Sequence, residues 1–199
     1  MVAMINDSML EERLIRERQE NGSDRYDEVW EGVYMMSPIA NNEHQYLALE
    51  IAGVLRELRQ KGDRIYAGLN VSDRENWTFN FRVPDVAVYL KGNPAEDRKT
   101  FMLGGPDLAI EIVSKGDRTF EKIDFYASVK TKELLILNRQ PWEFELYRHD
   151  GRSLVLAGKT SAGDGGFVST ETIPLNWQML PGEDRPELHL SNSNSSWTI

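Results

Sequence analysis

Two apolar segments of the chain each carry one acidic residue where the surrounding pattern calls for an apolar side chain. Asp85 precedes the run 86–90, and Glu111 lies within the run 108–113, between two isoleucines. Short apolar runs rich in β-branched residues predict buried strands. An ionised carboxylate in such a strand is costly unless it is paired or binds a metal ion. The two acids therefore belong either to structural ion pairs or to a functional site.

Lys122 supplies a cation close to Glu111 along the chain. It lies eleven positions further on, in segment 118–129, whose apolar side chains recur at helical spacing and leave Lys122 away from the apolar face. Two acids on neighbouring strands and a lysine are the residue types of a divalent-metal site that cleaves phosphodiesters. The same residues fit a structural pair between Glu111 and either Lys122 or Arg118 equally well. The residues alone leave both hypotheses open.

The composition excludes several classes of protein. With 199 residues, 40% of them hydrophobic, the chain is long enough for one domain with a sizeable core. The absence of cysteine rules out disulfides and thiolate metal sites. No apolar run approaches ~18 residues and no signal-peptide pattern is present, so we expect a cytoplasmic protein without membrane spans. The net charge of −9 argues against non-specific coating of nucleic acid, but it is compatible with a nuclease whose basic residues line one cleft.

Apolar periodicity and turn residues predict one domain over 25–190 that contains both helices and strands. Helices are expected at 40–60 and 118–129. Strands are expected at 64–71, 78–90, 107–113 and 133–138, with hairpins at 25–37 and 142–157. Segment 1–24 is expected to be an appended helical extension, 91–105 a surface loop, and the polar segment 191–199 a flexible tail.

These elements indicate the α/β or α+β class, with a central mixed sheet flanked by helices and additional hairpins. Because a helix lies between strands 107–113 and 133–138, a right-handed parallel crossover is the natural connection. The helix at 40–60 carries Glu43 and His44 in its first turn and Glu50 about two turns later. Each of these is a candidate to complete a site beside the two acids, although an acid in a first turn also complements the helix dipole.

A set of motifs in a fixed order resembles one family. The set comprises a helix opening NNEHQ after a hairpin ending MSP, then RVPDVAV, PDLAIEIVS, EKIDFYASV and ELLILN, spread over residues 25–150. It resembles the Uma2 family (DUF820), within the PD-(D/E)XK or restriction-endonuclease-like superfamily. The dipeptide Pro84-Asp85 is weak evidence by itself, since Pro106-Asp107 repeats it, whereas the ordered set is specific.

The resemblance implies roles for particular residues. Asp85 and Glu111 would bind Mg²⁺ or Mn²⁺, with the backbone carbonyl of Ile112 as a further ligand. The parent pattern places its lysine where this chain has Val113, and the family resemblance assigns that role to Lys122 instead. His44 ranks first among the residues of the long helix, because the family places a histidine at this helix start.

The expected function is therefore a metal-dependent endonuclease, with DNA as the expected substrate and a homodimer as the expected assembly. The main alternative is a non-catalytic nucleic-acid-binding or assembly module on the same fold, which the acidic charge and the displaced lysine favour. A glycosidase with a carboxylate pair is a third hypothesis, and the lack of an aromatic-rich sugar-cleft pattern argues against it.

Overall fold

The computed structural model describes residues 8–37, 40–114 and 116–199. Within these residues the chain forms helices separated by short strands that are assembled into three sheets. The helices are α1 (Ser8–Asn21), α2 (Asn42–Leu58) and α3 (Ile123–Ser128), and a 3-10 turn at Thr119–Lys122 leads directly into α3. The strands are β1 (Glu28–Trp30), β2 (Val33–Met35), β3 (Arg64–Ala67), β4 (Val71–Ser72), β5 (Phe81–Arg82), β6 (Val86–Tyr89), β7 (Glu96–Asp97), β8 (Met102–Leu103), β9 (Leu108–Ile112), β10 (Glu133–Arg139), β11 (Trp142–His149), β12 (Leu154–Ser161), β13 (Phe167–Thr170), β14 (Leu175–Leu180), β15 (Glu187–Ser191) and β16 (Ser196–Thr198).

The central sheet has the strand order β12-β11-β10-β9-β6-β3 and is mixed. β9 and β10 are parallel, and every other neighbouring pair in this sheet is antiparallel. The chain passes from β9 to β10 through α3, as parallel strands require a long connection. The predicted mixed sheet with a helical crossover at this point is confirmed.

Both faces of the central sheet are covered, which explains why β9 has five buried residues in a row. Leu108, Ile110 and Ile112 pack on one face together with α2. Ala109 packs on the other face with Tyr126 of α3. Since side chains alternate along a strand, Glu111 shares the face of Ala109 and points to the side of the sheet where α3 lies.

Helix α2 brings His44 to the site in its first turn. Asn41 caps it by accepting a hydrogen bond from the His44 N–H at 2.9 Å. Leu47, Ile51 and Leu55 are fully buried against the sheet at the expected helical spacing. No helix within the described parts of the chain is long and apolar enough to cross a membrane.

A second sheet, of order β2-β1-β5-β4-β8-β7, carries the first hairpin. Its strands β7 and β8 lie within segment 91–105, so the expectation that this segment is only a loop is wrong. The reason is long-range, because Met102 is buried with Ala87 and Tyr89 of β6. The N-terminal helix is tied to the same hairpin, since Arg18 of α1 pairs with Asp27.

The third sheet, of order β13-β14-β15-β16, corrects the expectation of a flexible C-terminal tail. β16 pairs with β15, and the Ile199 N–H donates to the Leu188 carbonyl at 3.0 Å. Ile199 belongs to the main core, and Trp197 packs against that core. The polar residues at 191–196 conceal these two apolar anchors from an estimate based on composition.

Removing the last strand tests the correction. Deletion of 196–199 is expected to lower the free energy of unfolding by about 2–4 kcal/mol, because the buried Ile199 leaves a cavity beside Leu188. The melting temperature, followed by circular dichroism, should fall by several degrees. Ser193→Ala, an exposed change in the same segment, should leave it unchanged. If the deletion variant has the same melting temperature as the natural sequence, the C-terminal segment adds no stability and the expectation of a flexible tail is correct.

Candidate active site

Asp85 and Glu111 lie side by side on neighbouring strands. β6 and β9 are antiparallel with Val86 opposite Ile110, so continuing the register by one residue places Asp85 opposite Glu111. Both side chains line the same cleft, which has a volume of about 420 Å³. His44 and Lys122 line this cleft as well. The structure therefore brings together four of the residues that the sequence singled out.

Lys122 lies between two carboxylates rather than on the outside of its helix. Its Nζ is 2.9 Å from Glu28 Oε1 and 3.1 Å from Glu111 Oε2. Only 7% of its surface is exposed, because the 3-10 turn before α3 directs the side chain into the cleft. Lys122 therefore lies in the cleft with the two acids, where the family resemblance assigns it a role.

The sequence analysis missed Glu28, which completes this cluster. Glu28 lies on β1 and is 3% exposed. The Val83 N–H donates to its Oε1 at 2.8 Å, and Trp30 Nε1 donates to its Oε2 at 2.7 Å. The signal was available, because Glu28 is also an acid within a short apolar strand, like Asp85 and Glu111.

Asp85 is held by partners from two elements. The Ile112 N–H donates to Asp85 Oδ2 at 2.7 Å, and His44 Nε2 lies 3.2 Å from the same oxygen. Ile112 thus contacts Asp85 through its backbone N–H. The family resemblance assigns a role to the other backbone group of this residue, its carbonyl. His44 is almost buried in the first turn of α2.

The other two candidates on α2 lie elsewhere. Glu43 pairs with Arg139 at 2.8 Å and turns away from Asp85. Arg139 also bonds the Asn41 side chain and the Val113 carbonyl, so it fastens the start of α2 to the end of β9. Glu50 does not line the cleft within the described residues. Of the three candidates, His44 alone reaches the acids.

The cluster perturbs the protonation of its members. The pKa of Glu111 is raised from 4.5 to about 8, mainly by burial and also by the charges of Asp85 and Glu28, against the opposing effect of Lys122. Burial lowers the pKa of Lys122, but attraction to Glu111 and Glu28 outweighs it and the net shift is upward. Burial and the neighbouring Glu111 raise the pKa of Tyr126, whose hydroxyl donates to Glu111 Oε1.

The donor set fits a hard divalent cation. The described residues contain no ready-made group of three or more His, Asp or Glu side chains around a single point. Magnesium, however, is commonly held by one or two carboxylates and keeps several waters. Lys122 contacts Glu28 and Glu111, and burial next to Asp85 and Glu28 favours the protonated form of Glu111 when no cation is bound. Asp85 Oδ1 has no hydrogen-bond partner among the described side chains and backbone groups.

The structural ion pair that the residues alone left open is also present. Lys122 pairs with Glu111, whereas Arg118 pairs with Glu121 instead. The pair and a cation site are not mutually exclusive, because Lys122 has a second carboxylate partner in Glu28. The structure thus shows the ion pair and leaves a cation site at Glu111 as a prediction.

Comparison with known proteins identifies the family. Residues 10–181 match the sequence profile of Uma2, described as "Putative restriction endonuclease". The chain belongs to the Uma2 family. No curated protein matches it. A similar solved fold is the crystal structure of a putative nuclease belonging to DUF820 from Anabaena variabilis ATCC 29413, with 18% sequence identity, a TM-score of 0.60, and coverage of 74% of this chain and 83% of that chain.

These findings confirm the resemblance noted from the motifs and the mixed α and β fold. The match of 10–181 to Uma2 includes most of α1, so the family pattern begins before the predicted boundary at residue 25. At 18% identity the solved Uma2-type structure supports the fold alone. The description of the family places this chain among the nucleases, without specifying its substrate.

The raised pKa of Glu111 predicts a specific pH dependence of stability. Between pH 4.5 and about 8 the folded protein holds a proton on Glu111 that the unfolded chain releases, so stability falls as the pH rises through this range. Thermal melts from pH 5 to 8 in chelator should show this fall in the natural sequence. In Glu111→Gln it should be reduced.

Glu121→Gln is the matched control, because Glu121 is exposed and paired only with Arg118 on the same turn. Its melting temperature should follow the natural sequence at each pH. Identical pH profiles for the natural sequence and Glu111→Gln would contradict the assigned shift.

Proposed function

We propose that this protein is a divalent-metal-dependent nuclease that hydrolyses phosphodiester bonds, with DNA as the expected substrate. The observation that carries the proposal is the meeting of Asp85, Glu111 and Lys122 in one cleft, the two acids opposite each other on adjoining strands. The family description of Uma2 supports the same class of reaction.

Asp85 and Glu111 are the residues that would hold Mg²⁺ or Mn²⁺, with the Ile112 carbonyl as the backbone ligand expected from the family. When bound, the cation would polarise the scissile phosphate and lower the pKa of an attacking water. The hydrogen bond from the Ile112 N–H and the close approach of His44 Nε2 both involve Asp85 Oδ2, so Oδ1 is free of these two contacts. Contacts that orient a ligating carboxylate strengthen a metal site.

Lys122 is the positively charged side chain that we assign to the reacting phosphate, in addition to the metal ion. An ammonium in a site of low dielectric stabilises the negative charge that develops during phosphodiester hydrolysis. Glu28 keeps this ammonium in place and charged even when Glu111 is engaged elsewhere, since Glu28 is bonded to Lys122 at 2.9 Å and is anchored by Val83 and Trp30. We assign His44 a positioning role, because its Nε2 is engaged with Asp85.

The second candidate function is a non-catalytic nucleic-acid-binding or assembly module. One observation favours it. Glu111 accepts from Lys122 and from Tyr126, so its carboxylate is fully satisfied without a cation. A fold stabilised by this pairing alone would need no metal ion.

Thermal melts with and without Mn²⁺ separate the two functions. Ligand binding to the folded state raises the melting temperature, so Mn²⁺ should stabilise the natural sequence but neither Asp85→Ala nor Glu111→Ala. Both variants should lose Mn²⁺-dependent cleavage of DNA. Glu121→Gln should keep the natural response to Mn²⁺. A natural sequence that does not respond to Mn²⁺ would retire the nuclease in favour of the module.

Lys122→Met sharpens the test. Removing one partner of a buried ion pair is expected to lower stability by about 3–5 kcal/mol in the metal-free protein, since Glu28 and Glu111 would remain buried without a counter-ion. The nuclease hypothesis predicts that Mn²⁺ still stabilises this variant, while turnover is lost. Loss of stability with no recovery in Mn²⁺ would identify Lys122 as a purely structural residue.

We also propose a homodimer, because cleavage of both strands of a duplex calls for two sites. β12 is an edge strand of the central sheet and exposes Val155 and Leu156, so it offers a pairing edge to a second copy. Sedimentation at micromolar concentration should give a dimer, and Leu156→Lys should shift it to the monomer. A natural sequence that sediments as a monomer would contradict the dimer.

A further inference from the structure

The cleft beside Glu111 has an apolar wall that the proposed chemistry leaves unexplained. Tyr26, Met36, Tyr46 and Leu49 are large apolar residues that are exposed, and all four line this one cleft. The exposed fraction is 48% for Tyr46 and 68% for Leu49. Single exposed apolar side chains are ordinary, whereas a group gathered at one cleft marks a binding surface.

The wall is built on firm backbone. Tyr46 and Leu49 are three residues apart on the 17-residue helix α2, so they lie on the same side of it. The Tyr26 ring packs directly against the backbone of Gly68. A Cβ added to Gly68 would lie 2.7 Å from Cε1 of the Tyr26 ring. Gly68 has φ of +66°, a conformation that favours glycine, and its lack of a side chain leaves room for the ring. The wall therefore presents the rings of Tyr26 and Tyr46 beside the aliphatic side chains of Met36 and Leu49.

Two arginines lie next to aromatic rings of this cleft. The Arg25 guanidinium lies 5.4 Å from the centre of the Tyr26 ring, and Arg118 lines the cleft with its guanidinium 5.0 Å from the Trp30 ring. Aromatic and apolar surfaces next to arginines are the features with which proteins hold single-stranded nucleic acid, since bases stack on the surfaces and phosphates meet the cations. Arg118, which also pairs with Glu121, and Lys122 are the basic residues among the described lining of the cleft, beside the acids Glu28, Asp85, Glu111 and Asp117.

The size of the cleft narrows the form of the substrate. A volume of about 420 Å³ is in the range of small-molecule sites. Glu111 and Lys122 are only 3% and 7% exposed, so a phosphate must enter the cleft to reach them. A base that stays stacked and paired within a duplex holds its phosphate outside such a space, whereas an unpaired nucleotide can be turned out of the stack and enter.

We propose that the apolar wall receives an unpaired nucleobase, so that the substrate is a single strand or a nucleotide turned out of a duplex. The inference rests on the proposed function for the position of the scissile phosphate beside Glu111. Tyr46 stacks on the base and Leu49 packs against it, so that the attached phosphate is held toward Lys122. They bind substrate and take no part in the chemical step.

Binding measurements on the variant Asp85→Asn, without divalent cation, test the inference free of turnover. Fluorescence anisotropy would compare a labelled oligothymidine of about 12 nucleotides with the matching duplex and with a duplex that carries an internal mismatched bubble. The single strand and the bubble should bind more tightly than the paired duplex. Tyr46→Ala on this background should weaken binding of the single strand by about tenfold or more, because one stacking surface is lost.

Two further variants control for the stacking role. Tyr46→Phe keeps the ring and should retain the affinity for oligothymidine. Phe167→Ala removes an aromatic side chain that is also exposed, at 58%, but lies outside the cleft, and it should have no effect. Circular dichroism would establish that each variant is folded before its affinity is compared.

Two outcomes would overturn the inference. One is equal affinity for the paired duplex and the single strand, with no change in Tyr46→Ala. The other is a dimer that Leu49→Ala converts to monomer while the affinity for oligothymidine stays the same, which would make the wall a contact between copies.

The experiment separates the inference from the proposed function. Suppose that Tyr46→Ala weakens binding of oligothymidine and that Mn²⁺ does not change the melting temperature of the natural sequence. This result would support the nucleobase site and contradict the nuclease. If Mn²⁺ raises the melting temperature but Tyr46→Ala binds oligothymidine as tightly as its parent, the nuclease is supported and the nucleobase site is contradicted.

Discussion

The buried ammonium of Lys122 is the interaction on which the arrangement of the site depends. Its two carboxylate partners come from different sheets, Glu28 from the sheet of the first hairpin and Glu111 from the central sheet. Burying a charge is costly unless its partners are close and themselves hydrogen-bonded, and here Val83, Trp30 and Tyr126 supply those hydrogen bonds. The position of the hairpin against the central sheet is therefore set at one point, which is also the floor of the cleft.

The alternation of side chains along β9 explains how one strand serves both the core and the site. Leu108, Ile110 and Ile112 fill the core beneath α2, while Glu111 faces the side of α3. The β6 strand follows the same rule, with Val86 and Val88 in the core and Asp85 on the opposite face. Because the register is antiparallel, the two acids meet at the end of the ladder, where the sheet opens to the cleft.

Much of the site was predictable from the residues themselves. Asp85 and Glu111 stand out as acids in apolar strands, and the ordered motifs pointed to Lys122 and His44. Glu28 carries the same local signal but lies in a three-residue strand, which is too short for a periodicity to register. The short 3-10 turn that carries Lys122 could not be predicted from the spacing, which indicated a single helix over 118–129.

The sequence by itself determined the family, through the resemblance of its ordered motifs. It also determined the mixed α and β class, through apolar periodicity, and the pair of acids, through charge placed where burial makes it costly. Tertiary structure decided which partners those charges have. Glu28 and Lys122 are far apart along the chain and become neighbours only when β1 joins the sheet beside β5. It also decided that the C-terminal segment forms a strand, since Ile199 and Trp197 are stabilised by packing against core residues distant in sequence. Pairings of this kind depend on burial that no local pattern records.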